Sequence, residues 1–92
     1  MATYLMFGTY SPEAMKAISA ERTDRALALI KKYEGEFKAG YALLGDLDLV
    51  VVLDLPDNES AIQASAALSR LLNIRFRAAP AVSLAEFDKL VG

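Results

Sequence analysis

Cysteine and histidine are both missing from this 92-residue sequence. The absence of cysteine excludes disulfides, thiolate metal sites and cysteine nucleophiles, and the absence of histidine removes the commonest metal ligand and general base. Much of standard catalysis is therefore excluded. We expect neither a metal ion nor a cofactor.

The sequence also lacks a basic excess and a long hydrophobic run. Ten Lys and Arg against twelve Asp and Glu give a net charge of −2, without the basic stripe that neutralises phosphates in nucleic-acid binders. Although 54% of the residues are hydrophobic, no apolar run approaches the ~18–20 residues of a membrane helix. No basic region precedes the first apolar stretch, as a secretory signal requires. We expect a cytoplasmic protein with no nucleic-acid or membrane partner.

The first third of the chain predicts a strand and a broken helix. Residues 3–10 are rich in aromatic and β-favouring side chains, and apolar residues then recur at helical spacing over residues 12–33, with Ser11 as N-cap. An unbroken helix of that length would span about 33 Å, longer than the strand of about 27 Å. We therefore predict a break at Ser19, and we expect Gly35 to end the helix in a left-handed conformation.

The middle of the chain predicts a hairpin. Residues 37–44 and 47–55 form two extended apolar runs. Gly45-Asp46 joins them, and this pair has the backbone freedom that a two-residue hairpin loop demands.

The last third predicts a helix, a strand and a short closing helix. Asp57 is expected to cap the helix and Asn73 to end it. Residues 74–78 alternate apolar with basic, as a half-buried strand does, and Pro80 just beyond argues for an edge position or the strand end. Ser83 begins the closing helix with a capping-box pattern. The whole order predicts one α+β domain of βαββαβ type over residues 1–92.

The predicted sheet is apolar on both faces. Side chains alternate along a strand, so the leucines of the third strand fall on one face, and Val50 and Val52 fall on the other. Two helices can cover only one face, and a large exposed apolar face marks an interaction surface. We predict a homodimer with Val50, Val52 and Met6 as the contact face. The alternative is that the first helix or the tail folds over the open face.

Several short motifs also follow one another in a characteristic order. They are the Tyr4–Tyr10 strand with Ser11-Pro12-Glu13, then Ser19-Ala20-Glu21-Arg22, Tyr41-Ala42-Leu43-Leu44-Gly45 leading to Asp48, Leu55-Pro56-Asp57, and Glu86-Phe87. Together they resemble the GYD-domain family, small bacterial proteins of the dimeric α/β-barrel superfamily. This resemblance covers nearly the whole chain. It implies a ferredoxin-like fold, with a four-stranded antiparallel sheet, helices on one face and a short C-terminal helix.

One position departs from the family pattern. Gly45 and Asp48 match, but Leu47 stands where a tyrosine is expected, so any chemical role of that tyrosine is absent here. The family has no established general activity, and its superfamily includes monooxygenases, isomerases and stress-associated proteins. The resemblance therefore implies the fold more than the function.

Arg22 and Asp48 are the charged residues in unusual places. Arg22 lies on the apolar stripe of the first helix, where it could anchor a carboxylate or phosphate or else form an ion pair or extend to water. Asp48, on the Val50 face, is the candidate catalytic acid or base. It could equally cap the hairpin or pair with Arg75 or Arg77.

Three function classes follow from these residues. The leading hypothesis is a small homodimeric module that binds an apolar or anionic ligand, with Arg22, Asp48, Tyr41, Tyr4 and Arg75 as candidate ligand-binding residues and Tyr10 as a further phenol. The second is a cofactor-independent enzyme, monooxygenase- or isomerase-like, that acts on a small hydrophobic acid or aromatic substrate through Asp48. The third is a purely structural assembly unit.

Overall fold

A computed structural model describes residues 1–92. In chain order the elements are β1 (Ala2–Tyr10), α1 (Pro12–Lys16), α2 (Ala20–Lys32), β2 (Glu36–Ala42), β3 (Leu49–Leu55), α3 (Asn58–Leu72), β4 (Ile74–Ala81) and α4 (Leu84–Val91). The strands form one antiparallel sheet in the order β2-β3-β1-β4. The predicted α+β, ferredoxin-like architecture is confirmed. No helix combines the length and the apolar character needed to cross a membrane.

The break in the first helix lies where the sequence predicts it. α1 ends at Lys16, and the Ser19 hydroxyl caps α2 by accepting a hydrogen bond of 3.1 Å from the Arg22 N–H. The end of α2 corrects the prediction, because Glu34 and not Gly35 has the left-handed φ of 60°. The Gly35 N–H instead donates to the Ile30 carbonyl at 2.9 Å, which closes the helix end.

The hairpin between β2 and β3 is longer than predicted. The loop spans residues 43–48, closed by a hydrogen bond of 2.8 Å from the Leu43 N–H to the Asp48 carbonyl. The Asp48 N–H donates to the Gly8 carbonyl at 2.9 Å, so Asp48 binds β1 as well as β2. Because Asp48 is held to β1, the loop is longer than a two-residue turn. Within this loop Gly45 adopts a positive φ of 128°.

β4 forms one edge of the sheet and is longer than predicted. It extends to Ala81 and includes Pro80 opposite Tyr4. An edge strand accommodates proline because one side of its backbone has no partner strand. The predicted edge position is therefore confirmed, whereas the predicted end at Ala78 is wrong.

The core lies between the sheet and the two long helices. Met6, Leu53 and Leu55 are its fully buried large side chains, and α3 contributes Ala61, Ala64, Leu68 and Leu72. This corrects the predicted contact face, because Met6 lies opposite Val51 and points to the helices. On the other side of the sheet, Leu5 lies opposite Val52 and Phe7 lies opposite Val50.

Candidate functional site

An apolar pocket of about 290 Å³ lies between α2, the end of α3 and the sheet. Fourteen of its 17 lining residues are hydrophobic. The lining comprises Met6, Tyr10, Arg22, Thr23, Ala26, Leu27, Ile30, Phe37, Gly40, Tyr41, Ala42, Leu49, Val51, Leu68, Leu72, Ile74 and Phe76. Concave, mostly apolar sites with a few polar groups are the usual binding places for small molecules.

The pocket opens to solvent along the edge strand β2. Two large hydrophobic residues of β2 in its lining are exposed, Tyr41 at 61% and Phe37 at 43%. A register irregularity between Phe37 and Ala39 places Phe37 and Gly40 side by side. A Cβ atom at Gly40 would lie 3.1 Å from Cζ of Phe37, so the aromatic ring lies against the glycine and forms one wall.

Gly8 of β1 lies against three side chains of the pocket lining. A Cβ atom at this position would lie 2.6 Å from Cδ2 of Leu49, and 3.0 Å from side-chain atoms of both Ile74 and Phe76. All three of these side chains line the pocket. The glycine therefore lets the neighbouring strands pack their side chains closely over β1.

Arg22 is the one charged residue in the pocket lining, and it is half-buried. Its Nη1 donates a hydrogen bond of 2.6 Å to the Ala14 carbonyl of α1, and its guanidinium lies 5.8 Å from the centre of the Tyr10 ring. No carboxylate lies within 4.0 Å of it. The predicted alternative of an ion pair with Asp or Glu is therefore not what the structure shows.

Asp48 is engaged at the base of the hairpin loop. Its Oδ2 accepts a hydrogen bond of 2.9 Å from the Tyr10 N–H, and it forms no salt bridge with Arg75 or Arg77. It is not among the lining residues. This contact joins the hairpin loop to the end of β1, so it is neither the hairpin cap nor the arginine pair that the sequence suggests.

The other candidate residues are dispersed. Tyr41 of β2 is part of the pocket lining, but it lies opposite Val50, so its side chain is on the face of the sheet away from the helices. Tyr4 is buried in the core and donates a hydrogen bond of 2.6 Å to Oδ1 of Asn58. Arg75 is exposed and lies opposite Thr9, on the face of the sheet away from the helices. The fold thus brings Arg22 and Tyr10 together at the pocket, with Tyr41 on the edge strand that borders it, but it does not bring Asp48, Tyr4 or Arg75 there.

Phe37 and Thr23 are lining residues that the sequence does not reveal. Phe37 and Gly40 are three residues apart, and strict alternation would place them on opposite faces of β2. Only the irregularity at Lys38 brings both to the pocket. Thr23 follows Arg22 on α2, and nothing in its helical spacing distinguishes it from an exposed polar residue.

The face of the sheet away from the helices is apolar in the middle and polar at one end. We call it the open face, and at its centre lie Leu5, Phe7, Val50 and Val52, all half-buried. At the polar end Lys38 lies 3.4 Å from carboxylate oxygens of both Glu36 and Asp54. Hydrogen bonding to Glu36, and then to Asp54, raises the pKa of Lys38 above its usual 10.5.

α4 does not cover this open face within one chain. None of its residues is buried, and Leu84, Phe87 and Leu90 are exposed. The open-face valines and their neighbours on β1 remain half-buried rather than enclosed. The alternative in which the tail shields the open face is therefore wrong for the single chain.

Comparison with known families identifies the chain. A family model for the GYD domain matches residues 4–91. The chain belongs to the GYD family. No functionally curated protein matches this GYD chain. Membership accounts for the order of motifs from Tyr4 to Phe87, but it carries no activity with it.

Solved structures with a similar fold include transcriptional regulators. The leucine response regulatory protein LrpA of Mycobacterium tuberculosis has a TM-score of 0.59 at 15% identity, over 89% of the GYD chain and 51% of the regulator. Another transcriptional regulator has the same TM-score at 14% identity, and the match covers 90% of the GYD chain and 51% of the regulator chain. The GYD chain thus spans about half the length of these structures. At this identity the likeness shows the fold alone.

Proposed function

We propose that this GYD chain is a cytoplasmic homodimeric module that binds a small, largely apolar molecule in the pocket between α2 and the sheet. The pocket itself is the observation that supports the proposal. A chain of 92 residues buries a smaller fraction of its apolar surface than a larger domain does. Its own side chains nevertheless leave a pocket of about 290 Å³ unfilled beside the core. A bound molecule would supply the missing contacts and stabilise the fold.

The dimer is supported by the open face of the sheet. Leu5, Phe7, Val50 and Val52 form one apolar surface that neither the long helices nor α4 encloses. A second copy that packs the same face against it would bury both surfaces by two-fold symmetry. The exposed apolar side chains of α4 add to the surface that the single chain does not bury.

An enzymatic role has less support. The carboxylate of Asp48 already accepts the Tyr10 N–H and lies outside the pocket lining, so a substrate in the pocket would be away from the candidate acid or base. The candidate ligand contacts that remain at the pocket are Arg22 and Tyr10. Binding, rather than turnover, is what this arrangement serves.

Filling the pocket from within tests the binding proposal. Ala26 lines the pocket, whereas Ala28 is exposed on the same helix. We expect Ala26→Met to abolish binding of the neutral aromatic 2-naphthamide in isothermal titration calorimetry, and Ala28→Met to leave it unchanged. Equal binding by the two variants, or no binding by the unmodified protein, would contradict the proposal.

Native mass spectrometry complements this test. Protein purified from its own host would show the subunit number and any retained small molecule in one measurement. We expect a dimer that carries a molecule of low mass. A ligand-free dimer that also binds no 2-naphthamide would favour the purely structural assembly unit.

A further inference from the structure

Arg22 is distinguished from every other arginine by its position at the pocket. Arg25, one turn further along α2, is exposed and pairs with Glu21 at 2.7 Å. Arg22 has no such partner within 4.0 Å, although the chain carries twelve acidic residues against ten basic ones. The half-buried guanidinium of Arg22 instead lies beside an unfilled apolar pocket.

Two contacts fix where this guanidinium points. The Ala14 carbonyl accepts a hydrogen bond of 2.6 Å from Nη1, and the Tyr10 ring lies under the cation at 5.8 Å. A guanidinium has five N–H donors, so the Nε and Nη2 edge keeps its fork of donors. A planar fork of this kind matches the two oxygens of a carboxylate.

We infer that the ligand carries one carboxylate and that Arg22 binds it. This inference rests on the proposed function, since it concerns the same pocket. The carboxylate forms a bidentate pair with the Nε and Nη2 edge, and the rest of the molecule lies among the apolar residues. Because Arg22 is the single charged residue of the lining, a dianionic phosphate would bring one negative charge more than the pocket neutralises.

The size of the pocket limits the apolar part of the ligand. A cavity of ~150 Å³ holds benzene, and this pocket has about twice that volume, about 290 Å³. It therefore suits an aromatic or branched aliphatic monocarboxylate with no more than about two rings. The Tyr10 ring beside the guanidinium offers an aromatic surface to such a molecule.

A matched pair of probes tests the inference. Isothermal titration calorimetry compares 2-naphthoate with its neutral analogue 2-naphthamide, on the unmodified protein, on Arg22→Gln and on the control Arg25→Gln. We expect the unmodified protein and Arg25→Gln to bind 2-naphthoate at least about tenfold more tightly than the amide, which corresponds to ~1.4 kcal/mol. Arg22→Gln should bind the two probes about equally.

The outcomes separate this inference from the proposed function. If the unmodified protein binds neither probe, the binding function itself is wrong. If it binds the amide as tightly as the acid, or if Arg22→Gln keeps the preference for the acid, the carboxylate inference alone is overturned. Circular dichroism shows whether Arg22→Gln is folded. If Arg22→Gln is not folded, Arg22→Lys takes its place, because lysine keeps the charge without the planar fork. We expect the preference of Arg22→Lys for the acid over the amide to be at least about threefold smaller than that of the unmodified protein. An unchanged preference overturns the inference.

Discussion

The phenol of Tyr4 donates a hydrogen bond of 2.6 Å to Oδ1 of Asn58 and so joins β1 to the first turn of α3. Because Tyr4 is buried in the core, its hydroxyl needs this partner. We expect Tyr4→Phe to lower the free energy of unfolding by about 1 kcal/mol in urea titrations. The exposed Tyr41→Phe should change it by less than about 0.5 kcal/mol, and equal losses would show that the bond is unimportant.

The contact between Asp48 and the Tyr10 N–H predicts different effects for two substitutions. Asp48→Asn keeps an oxygen that accepts the bond of 2.9 Å, whereas Asp48→Ala leaves the N–H of Tyr10 without that acceptor. We expect Asp48→Ala to be less stable than Asp48→Asn by about 1–2 kcal/mol in chemical denaturation. If alanine is tolerated as well as asparagine, the hairpin loop does not depend on this bond.

Gly8 should resist even the smallest substitution. The added Cβ of Gly8→Ala would lie 2.6 Å from Cδ2 of Leu49, and overpacking of this kind costs about 1–3 kcal/mol. Gly40→Ala is the matched control, because its nearest neighbour is the partly exposed Phe37 ring at 3.1 Å, which has room to move. Urea unfolding of both variants should show the larger loss at Gly8.

A charge in the middle of the open face tests the dimer. Val50→Lys places an ammonium group beside Phe7 and so opposes burial of this face against a second copy. We expect sedimentation velocity to show a monomer, or the variant to be insoluble. Gln63→Lys, on an exposed position of α3, should sediment as the unmodified dimer does. A soluble, unchanged Val50→Lys dimer would mean that another surface forms the interface.

The N-cap of α3 should make stability depend on acid pH. The Asp57 carboxylate accepts a hydrogen bond of 2.8 Å from the Ser60 N–H, which lowers the pKa of Asp57 below its usual 3.8. A lowered pKa in the folded state means that the stabilisation is present above the unfolded value and is lost as the pH falls through the folded value. Asp57→Asn keeps a cap that does not titrate. We expect the melting temperature of the unmodified protein to fall relative to that of Asp57→Asn as the pH drops below about 4, and a constant difference would contradict this.

Local sequence determined the elements and most of their ends. Ser19 predicts the start of α2, and Asp57 and Asn73 predict the limits of α3, because capping depends on a few adjacent residues and their own backbone angles. The alternation in β3 correctly separates Leu53 and Leu55 from Val50 and Val52, because side chains alternate between the two faces of a strand. These features need no knowledge of what lies across the sheet.

Only the tertiary structure decided which face each strand shares with its neighbours and what forms the pocket. Met6 belongs with the core and Leu5 and Phe7 with the valines, because the register of β1 against β3 sets that assignment. Position 35 requires a glycine because a Cβ atom there would lie 2.6 Å from Cδ2 of Leu55. Leu55 is far from Gly35 in the sequence, so the requirement comes from tertiary packing and not from a local turn. The position of Arg22 at the pocket, without a carboxylate partner, likewise depends on how α1, α2 and β1 pack together, and sequence spacing does not encode such distances.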